Sequence, residues 1–535
     1  MIDTIKTPGF LILSLVASLA TLAPLQGNAA TAQWALDPVD ETWYTPANWS
    51  SNRVPGFFDT AIFDVSNKPE VSTSGRTTTI DKIVFAANAP AYQITSVATT
   101  FFGTLDIFNG IDNQSAQTQD FISVAAGNGA GTFSFSPAGD AGTNTRFTNQ
   151  AAVSPGADWG RVLFLTDASA GSAQIINEGA AVPGAFGGET QFYNDTIAAE
   201  ALIINRPGTG DGAAGGRTRF WLKYPRAGNA QIVCEGATVS GAYGGEVFFQ
   251  NASSAGKATV IAESGSNGGA GGLISFQQNS RGALVRIELF GNEQLDLSLH
   301  STPDVTIGSL EGDGPVFLAD LTLNVGSNAL NTVYSGNIQD SGGLSKVGPG
   351  TLTLAGASTY TGNTTVSEGT LVVSNSTGSA TGTGMVSVET GSLGGSGIIT
   401  GPVTVGTGSG AGASLAPAHG GNRQLTLTIQ DSLTFNSDAT YTYTFKAQGD
   451  RSKIDKVVAN GVTIDGGATF NLIGTTQGTL TQGTVLTVIK NTAAAPIAGS
   501  FSNLPDGTIV NVDGNNLQAS YKGGDGNDLT LTVVP

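Results

Sequence analysis

The chain has 535 residues, of which 75 are glycine and 12% are charged, and its formal net charge is −18 at pH 7. Such an acidic chain would repel a phosphate backbone, which argues against nucleic acid as a partner. The glycine-rich composition with few charges is typical of an all-β protein with many turns.

Residues 1–29 have the layout of a secretory signal peptide. Lys6 precedes an apolar run over residues 10–25, and small residues follow at 27–29. This run is shorter than the roughly 20 residues that a membrane-spanning helix needs. We therefore expect an exported protein with no transmembrane segment after signal cleavage.

An N-terminal cap with the first coils is predicted for residues 30–120. Three of the 5 tryptophans, Trp34, Trp43 and Trp49, lie close together in this segment. We interpret them as aromatic side chains that cover the open end of a stack of strands. The alternative is an aromatic platform for sugar rings.

Residues 145–276 contain five similar repeats, each with a strand-like segment that ends in phenylalanine: Phe164, Phe192, Phe220, Phe249 and Phe276. These phenylalanines are 27 to 29 residues apart, and such a period indicates a solenoid whose units stack on copies of themselves. Within each repeat, β-branched or aromatic residues alternate with polar ones, which predicts strands. We assign residues 121–335 to this β-solenoid.

Charges at equivalent positions of the repeats support parallel, in-register stacking. Equivalent outward residues would lie about 4.8 Å apart, so neighbouring charges should be opposite. Glu189, Arg217 and Glu246 form one such column, and Asp195 and Lys223 form another.

A motif over residues 342–373 reads Gly-Gly-Leu-Ser-Lys-Val-Gly-Pro-Gly-Thr-Leu-Thr-Leu-Ala-Gly, followed by Tyr-Thr-Gly-Asn-Thr-Thr-Val and Gly-Thr-Leu-Val-Val. Its order and spacing closely resemble the autotransporter-associated β-strand repeat of bacterial secreted β-helices. The resemblance implies a right-handed parallel β-helix that is exported to the cell exterior.

The rest of the chain is divided accordingly. Residues 336–424 form the repeat region that carries this motif, and residues 425–535 form a C-terminal β module. The segment from Leu425 is too short and too rich in Gly, Asn and Asp for the β-barrel with which autotransporters end. We expect a passenger-type β-helix that lacks the translocator barrel.

The strongest candidate for a binding surface lies in the third repeat. Alternation places Phe220 and Leu222 inside and puts four side chains outside on one stripe, with Tyr193 of the preceding coil beside them: Arg217, Arg219, Trp221 and Lys223. An aromatic pair with nearby cations could stack on and hydrogen-bond an acidic or neutral glycan. The alternative is that these charges and rings stabilise the sheet.

A polysaccharide-degrading β-helix enzyme is the rival class. Hydrolysis needs two carboxylates at a defined separation, whereas Arg217 would sit between Glu189 and Glu246 and hold both ionised. His300 and His419 are far apart in the sequence and have no evident orienting partner. We therefore predict no catalytic site.

Two further features have a structural interpretation. Residues 523–528 resemble the calcium-binding nonapeptide of β-rolls, but one copy supplies too few oxygen ligands, so we favour a tight turn and predict neither metal nor cofactor. The lone Cys234 excludes an intrachain disulfide. It falls in the column of Asn149, Asn177 and Asn205, which favours a stacked core position over a nucleophile.

These observations predict a secreted or cell-surface structural or adhesive β-solenoid protein without catalytic activity. A glycan-binding module and, behind it, a polysaccharide-degrading enzyme are the alternatives. The expected partners are extracellular polysaccharide or other cell-surface components, and the oligomeric state is open.

Overall fold

The computed structural model describes residues 29–98, 103–126, 129–410, 412–418, 425–448 and 451–535. All but the last residue of the predicted signal peptide, and also His419, lie outside the described residues. Regular structure in the described part is almost all strand, with a 3-10 turn at Pro46–Asn48. None of the described helical structure is long and apolar enough to cross a membrane.

The strands are short and follow one another at regular intervals. The first part of the chain holds β1 (Thr31–Gln33), β2 (Thr60–Phe63), β3 (Glu70–Ser72), β4 (Thr78–Ile80), β5 (Lys82–Phe85), β6 (Gln93–Val97), β7 (Thr104–Ile107), β8 (Ile111–Asn113), β9 (Gln119–Ala126), β10 (Gly129–Ala130), β11 (Thr132–Phe135), β12 (Thr145–Asn149), β13 (Arg161–Phe164), β14 (Gln174–Asn177), β15 (Glu189–Tyr193), β16 (Leu202–Asn205), β17 (Arg217–Trp221), β18 (Gln231–Cys234), β19 (Glu246–Phe249), β20 (Thr259–Ala262) and β21 (Leu273–Phe276). The middle part holds β22 (Arg286–Leu289), β23 (Gln294–Asp296), β24 (Asp304–Ile307), β25 (Ser309–Gly312), β26 (Val316–Phe317), β27 (Thr322–Val325), β28 (Thr332–Tyr334), β29 (Ile338–Gln339), β30 (Gly343–Lys346), β31 (Thr351–Leu354), β32 (Thr364–Val366), β33 (Thr370–Val373), β34 (Val386–Val388) and β35 (Ser392–Gly395). The last part holds β36 (Ile398–Ile399), β37 (Val403–Val405), β38 (Ser414–Leu415), β39 (Thr426–Ile429), β40 (Leu433–Phe435), β41 (Thr440–Gln448), β42 (Arg451–Ile454), β43 (Lys456–Ala459), β44 (Val462–Ile464), β45 (Thr469–Gln477), β46 (Val485–Asn491), β47 (Ala498–Gly499), β48 (Ile509–Val512), β49 (Asn515–Gly523) and β50 (Asp528–Val534).

Most of these strands pair in parallel with the equivalent strand of the next coil. One long sheet contains β12, β14, β16, β18, β20 and β22, and a second contains β11, β13, β15, β17, β19 and β21. A third sheet runs from β24 through β27, β30 and β32 to β47. The stacking confirms the predicted parallel β-helix, whose coils each contribute one strand per sheet.

A column of phenylalanine rings fills the core of the repeats. Adjacent rings from Phe135 through Phe164, Phe192, Phe220 and Phe249 to Phe276 have centroids 4.6 to 5.1 Å apart and planes within 14° of parallel. Each ring therefore packs on its copy in the next coil, as the period of the sequence predicted.

An asparagine ladder runs through the same core. Asn149 Nδ2 donates to Asn177 Oδ1 and Asn177 Nδ2 donates to Asn205 Oδ1, each at 2.7 Å. Cys234 takes the next step in register, with its sulfur 3.6 Å from Asn205 Nδ2. This confirms its predicted stacked core position, and burial raises the pKa of the Cys234 thiol to about 12.

The three N-terminal tryptophans lie inside the fold. Trp34, Trp43 and Trp49 are all buried, and the Trp49 ring lies 4.9 Å from that of Trp43 and 5.1 Å from that of Trp34. Trp49 Nε1 donates to the Trp43 carbonyl at 2.7 Å. The rings are core side chains that pack around Phe63, so the alternative of an exposed sugar platform is wrong.

The end of the chain folds back on itself. Strand β46 pairs antiparallel with β50, β50 with β49, and β49 with β48. The segment that resembles a calcium-binding nonapeptide is the turn between β49 and β50, in which Asp528 Oδ1 accepts the amide of Asn491 at 2.9 Å. The preferred interpretation as a tight turn is confirmed.

Candidate functional site

The second strand of each repeat is preceded by a loop that stacks on the loop of the next coil. We call the loops at residues 150–160, 178–188, 206–216, 235–245 and 263–272 the lobes. Gly184 N donates to the Gly212 carbonyl at 2.9 Å, and Gly212 N donates to that of Gly241 at 3.0 Å. The lobes form a small apolar cluster of their own, with Ala152, Ala157, Ala180, Ala185 and Ala213 buried in it.

A column of alternating charge lies on the outer face of the sheet beside the lobes. Arg161, Glu189, Arg217 and Glu246 occupy equivalent positions of β13, β15, β17 and β19. The predicted pairing of Glu189, Arg217 and Glu246 is therefore confirmed, and Arg161 extends it by one coil.

Glu189 is enclosed, although it faces away from the phenylalanine core. Its Oε1 lies 3.0 Å from Arg217 Nε and 3.2 Å from Arg219 Nε, and its Oε2 accepts the indole N–H of Trp159 at 2.9 Å. The side chain is 0% exposed. The outer face of the sheet is thus covered at this point, where alternation predicted a solvent-exposed acid.

The two acids of the column differ in their electrostatic surroundings. Burial alone would raise the pKa of Glu189, but the attraction of Arg217 and Arg219 outweighs it, and the pKa is lowered. For Glu246, burial outweighs the attraction of the same two guanidinium groups, and the pKa is raised. The expectation that the arginine favours the ionised form of both acids is therefore met at Glu189, whereas at Glu246 burial opposes the arginine.

Aromatic rings of the first two lobes cover the arginines. The Trp159 and Phe186 rings lie 5.0 Å apart, and the guanidinium carbons of Arg161 and Arg217 lie 4.5 and 4.9 Å from the Trp159 ring centre. Arg217 also lies 5.2 Å from the Phe186 ring centre. These contacts combine ion pairing with cation–π attraction.

The structure divides four of the five predicted site residues into two pairs. Arg217 and Arg219 bind Glu189, and Arg219 also lies 5.8 Å from the ring centre of Phe248. Tyr193 and Trp221 are register partners with ring centroids 5.3 Å apart, and both are half-buried. The aromatic pair is confirmed as a pair, while the two arginines are engaged within the protein.

The alternation of the strand ends two residues earlier than the sequence indicated. Strand β17 stops at Trp221, and Leu222 has φ +71° with 39% of its surface exposed. The prediction that Leu222 points inside is therefore wrong. Lys223 lies exposed in the turn, outside the stripe of the strand, and Tyr224 is 60% exposed with φ +51°.

The second predicted charge pair is only half realised. The Asp195 amide donates to the Lys223 carbonyl at 2.7 Å, so the two residues do stack in neighbouring turns. Among the described residues, however, their side chains form no ion pair, because the turn carries them away from the flat part of the sheet.

The acidic and histidine side chains of this region are held by contacts within the protein. The carboxylate of Glu189 is neutralised by two guanidinium groups, which lower its pKa and make it a weaker base. His300 is held by the Ser280 carbonyl at 2.8 Å from Nε2 and by Thr302 Oγ1 at 3.0 Å from Nδ1. Within the described part of the chain, no group of three or more His, Cys, Asp or Glu side chains could hold a metal ion.

Comparison with known proteins identifies one short segment. Residues 344–373 match the family model of the passenger-associated-transport-repeat. This match confirms the resemblance that the motif at 342–373 carries, and we call residues 344–373 the transport repeat.

A buried lysine joins the turns of the transport repeat. The Lys346 side chain points inward with Leu344, and its Nζ donates to the carbonyls of Val347 at 2.8 Å, Gly348 at 2.6 Å and Glu368 at 3.1 Å. Glu368 belongs to the next coil, so the lysine ties two successive coils together.

Similarity beyond the transport repeat is low. The crystal structure of the Haemophilus influenzae Hap adhesin is similar at 11% identity and a TM-score of 0.29, over 90% of this chain and 59% of that chain. This chain therefore spans about three fifths of the Hap structure, and similarity of this degree says nothing about a shared activity. No curated protein sequence matches the chain significantly.

Sequence reasoning missed the residues that close the site. Trp159 and Phe186 belong to the lobes, and the structure brings them onto Glu189 and Arg217. One signal was present: Trp159 stands at the position that glycine holds in the next four lobes, at Gly187, Gly215, Gly244 and Gly271. A large aromatic residue that replaces a repeated glycine marks a lobe with an additional contact.

Proposed function

We propose that this protein is a secreted or cell-surface β-solenoid with a structural or adhesive role and no catalytic activity. The observation that carries the proposal is the transport repeat, which lies in register within the continuous β-helix. A repeat that is associated with passenger transport is expected in a chain that is exported.

The electrostatics of the outer face support the absence of catalysis. Glycoside hydrolysis requires one carboxyl group to donate a proton and a second one nearby to act as a base or nucleophile. The ion pairs of Glu189 with Arg217 and Arg219 hold its charge and its position. A side chain fixed in this way stabilises the stack of coils.

The location is tested by treating intact cells of the native organism with protease and blotting cell, membrane and medium fractions. We expect the cell-bound signal to disappear while a periplasmic control protein stays intact. A pool that is protected in the periplasm would overturn surface display.

The adhesive role is tested in a strain that lacks the gene. We expect weaker attachment to glass or to neighbouring cells, and recovery when the gene is restored. Unchanged attachment by a strain whose surface display has been verified would leave a structural coat as the role and exclude adhesion.

A second candidate function is glycan binding at Tyr193, Arg217, Arg219, Trp221 and Lys223. The observation in its favour is the half-buried Tyr193–Trp221 pair next to the exposed Tyr224. Three rings at one turn offer stacking surface, and Lys223 supplies a charge there. Arg217 and Arg219 would act indirectly, because they hold the sheet under Trp221.

Glycan binding is tested by affinity electrophoresis of the Trp221→Ala variant in gels that contain polysaccharide. We expect retention to fall about tenfold, since an aromatic contact of this kind contributes on the order of 1.4 kcal/mol. Tyr243→Ala is the matched control, because Tyr243 is an exposed ring in a lobe away from the pair. Equal retention of the wild type and Trp221→Ala would exclude this site.

A further inference from the structure

A second surface lies on the coils that include and follow the transport repeat. A groove of about 580 Å³ crosses the outer face of β31, β33, β35, β38, β41 and β45. Neighbouring strands in a sheet are about 4.8 Å apart, so six strands extend the groove by roughly 24 Å along the stack. An elongated groove of this kind fits a chain-like ligand.

One side of the groove is a row of hydroxyl groups. Thr351, Thr370 and Ser392 are partners in register in three successive coils and line the groove. Their hydroxyl groups make no hydrogen bond to any described residue, and all three side chains are half-buried. They are therefore free to bind a ligand.

The groove is shaped by a change in side-chain size along the neighbouring column. Val372, Gly394 and Ala416 follow one another there, and the column then widens to Thr442 and Asn471. Asn471 Nδ2 donates to Thr442 Oγ1 at 3.3 Å, which holds the amide at the end of the groove.

A buried polar group lies on the same face. Thr444 is the next outward residue after Thr442, and its register partner is Ile473, which lines the groove. The Thr444 side chain is 4% exposed, and its hydroxyl has no hydrogen-bond partner among the described residues. Buried hydroxyl groups normally have a partner, so Thr444 leaves one hydrogen-bonding group unsatisfied next to a residue that lines the groove.

The chemistry of the lining selects the ligand. None of the residues that line the groove is charged, although the chain has a net charge of −18. The overall charge disfavours an acidic ligand, and the groove offers no carboxylate to a cationic one. Hydroxyl and amide groups lie beside the apolar side chains of Val372 and Ile473, which suits a sugar with its polar edge and C–H face.

We propose that this groove binds a strand of neutral polysaccharide along the stack of coils. The spacing of successive hydroxyl groups is that of the coils, which is close to the rise of one sugar unit in an extended chain. The proposal goes beyond the second candidate function because it uses a different surface from Trp221, so the two can fail independently.

The test is isothermal titration of the full chain with neutral hexasaccharides of β-1,4-glucan, β-1,3-glucan, β-1,4-mannan and β-1,4-N-acetylglucosamine, and with an acidic hexagalacturonate. The groove variant is the triple substitution Thr351→Val, Thr370→Val and Ser392→Ala, which keeps the shape and removes three hydroxyl groups. The matched control is Ser345→Ala, Thr365→Val and Ser387→Ala, three outward hydroxyl residues in register on the third sheet.

We expect at least one neutral hexasaccharide to bind with a Kd below about 1 mM, and the groove variant to bind it at least about tenfold more weakly. The control triple and Trp221→Ala should keep wild-type affinity in this assay. A second test variant is Thr370→Trp, whose large side chain would fill the groove and should also abolish binding of the hexasaccharide.

Three results would overturn the proposal. They are no binding of any neutral hexasaccharide, equal binding by the wild type and the groove variant, and stronger binding of the acidic hexagalacturonate. Loss of binding in Trp221→Ala with the groove variant unaffected would assign the ligand to the second candidate site instead. Thermal unfolding of each variant verifies that all of them are folded.

Discussion

At the scale of single residues, Glu293 is an acidic side chain in an unfavourable, buried position of the β-helix. Gln294 pairs with Leu273 of the preceding coil, so Glu293 is equivalent to Gly272. A carboxyl side chain therefore replaces a glycine that recurs in the preceding repeats. The side chain is fully buried, and neither oxygen accepts a hydrogen bond from another described residue. Burial raises the pKa of Glu293 to about 7, and the charge of Asp313 acts in the same direction.

This pKa predicts a stability that falls as the pH rises. Between the ordinary pKa of 4.5 and about 7, the folded chain keeps a proton that the unfolded chain releases. The contribution of protonated Glu293 to the free energy of unfolding is present below pH 4.5 and is lost as the pH rises through 7. We expect Glu293→Gln to gain about 3 kcal/mol relative to the wild type between pH 4.5 and pH 8.

Thermal unfolding of both proteins across that pH range measures the effect. Asp304→Asn, which changes an exposed carboxylate nearby, is the control and should run parallel to the wild type. Parallel curves for Glu293→Gln and the wild type would show that Glu293 does not carry the pH dependence.

Leu222 is strained in its backbone. Its φ of +71° is the conformation that Asn194 and Asn251 adopt in the equivalent turns, at +46° and +54°. A leucine in this region costs about 1 kcal/mol or more relative to residues that tolerate it. We expect Leu222→Asn to stabilise the protein by about 1 kcal/mol, and the reverse change Asn194→Leu to destabilise it by a similar amount.

Chemical or thermal unfolding of the two variants decides this prediction. If Leu222→Asn also weakens glycan retention at the Trp221 site, the leucine is kept for binding at the expense of stability. A destabilised Leu222→Asn would mean that packing of the leucine outweighs its backbone strain.

At the residue scale, the sequence could predict the register of the stacked strands. In a parallel stack, equivalent positions fall in one column, so the phenylalanines, the Glu189 and Arg217 pair, and Cys234 were correctly placed. Burial could not be read in the same way, because Glu189 is covered by Trp159 from a loop. The alternation that placed Leu222 inside fails because the strand ends at Trp221.

At the scale of elements, four of the five lobes have paired glycines directly before the second strand of the repeat. A Cβ added at Gly215 would lie 2.0 Å from the carbonyl oxygen of Gly244, and one added at Gly216 would lie 2.0 Å from that of Asn177. Both contacts are with backbone atoms, which cannot move without displacing a coil. The repeated Gly-Gly is therefore required by the close approach of successive coils.

We accordingly expect Gly215→Ala to destabilise the protein by about 3 kcal/mol. The control is Gly466→Ala, since a Cβ at Gly466 meets nothing within 4 Å. The measurement is the midpoint of thermal unfolding of both variants and of the wild type. Equal midpoints for Gly215→Ala and the wild type would show that the lobes can separate without loss of stability.

Strands could be predicted in these repeats, but the lobes could not. A strand shows its alternation in the sequence, whereas the lobes consist of Ala, Gly, Pro and Ser, whose arrangement follows from stacking on the next coil. The candidate site lies between a strand and two lobes, so only its strand half was predicted. The groove on β31, β33, β35, β38, β41 and β45 could not be predicted for a related reason, since its shape depends on side-chain sizes in six different coils.

At the scale of the whole molecule, each coil contacts mainly its immediate neighbours. Stability in such a chain is the sum of local units and their interfaces. The buried tryptophans at the N-terminal end close the first interface, where Trp43 packs 4.9 Å from Trp49 and 5.9 Å from Phe63. A substitution at this end should therefore destabilise only the neighbouring coils.

We expect Trp43→Ala to cost about 3 to 5 kcal/mol locally and to loosen only the coils next to it. Hydrogen exchange measured by mass spectrometry should accelerate over residues 31–97 and stay unchanged in the transport repeat. Phe220→Ala is the comparison, because that ring stacks on Phe192 at 4.6 Å and on Phe249 at 5.0 Å, so exchange should accelerate on both sides of it. A uniform acceleration along the whole chain in Trp43→Ala would mean that the solenoid unfolds as one cooperative unit, and the interfaces between coils would then be stronger than the coils themselves.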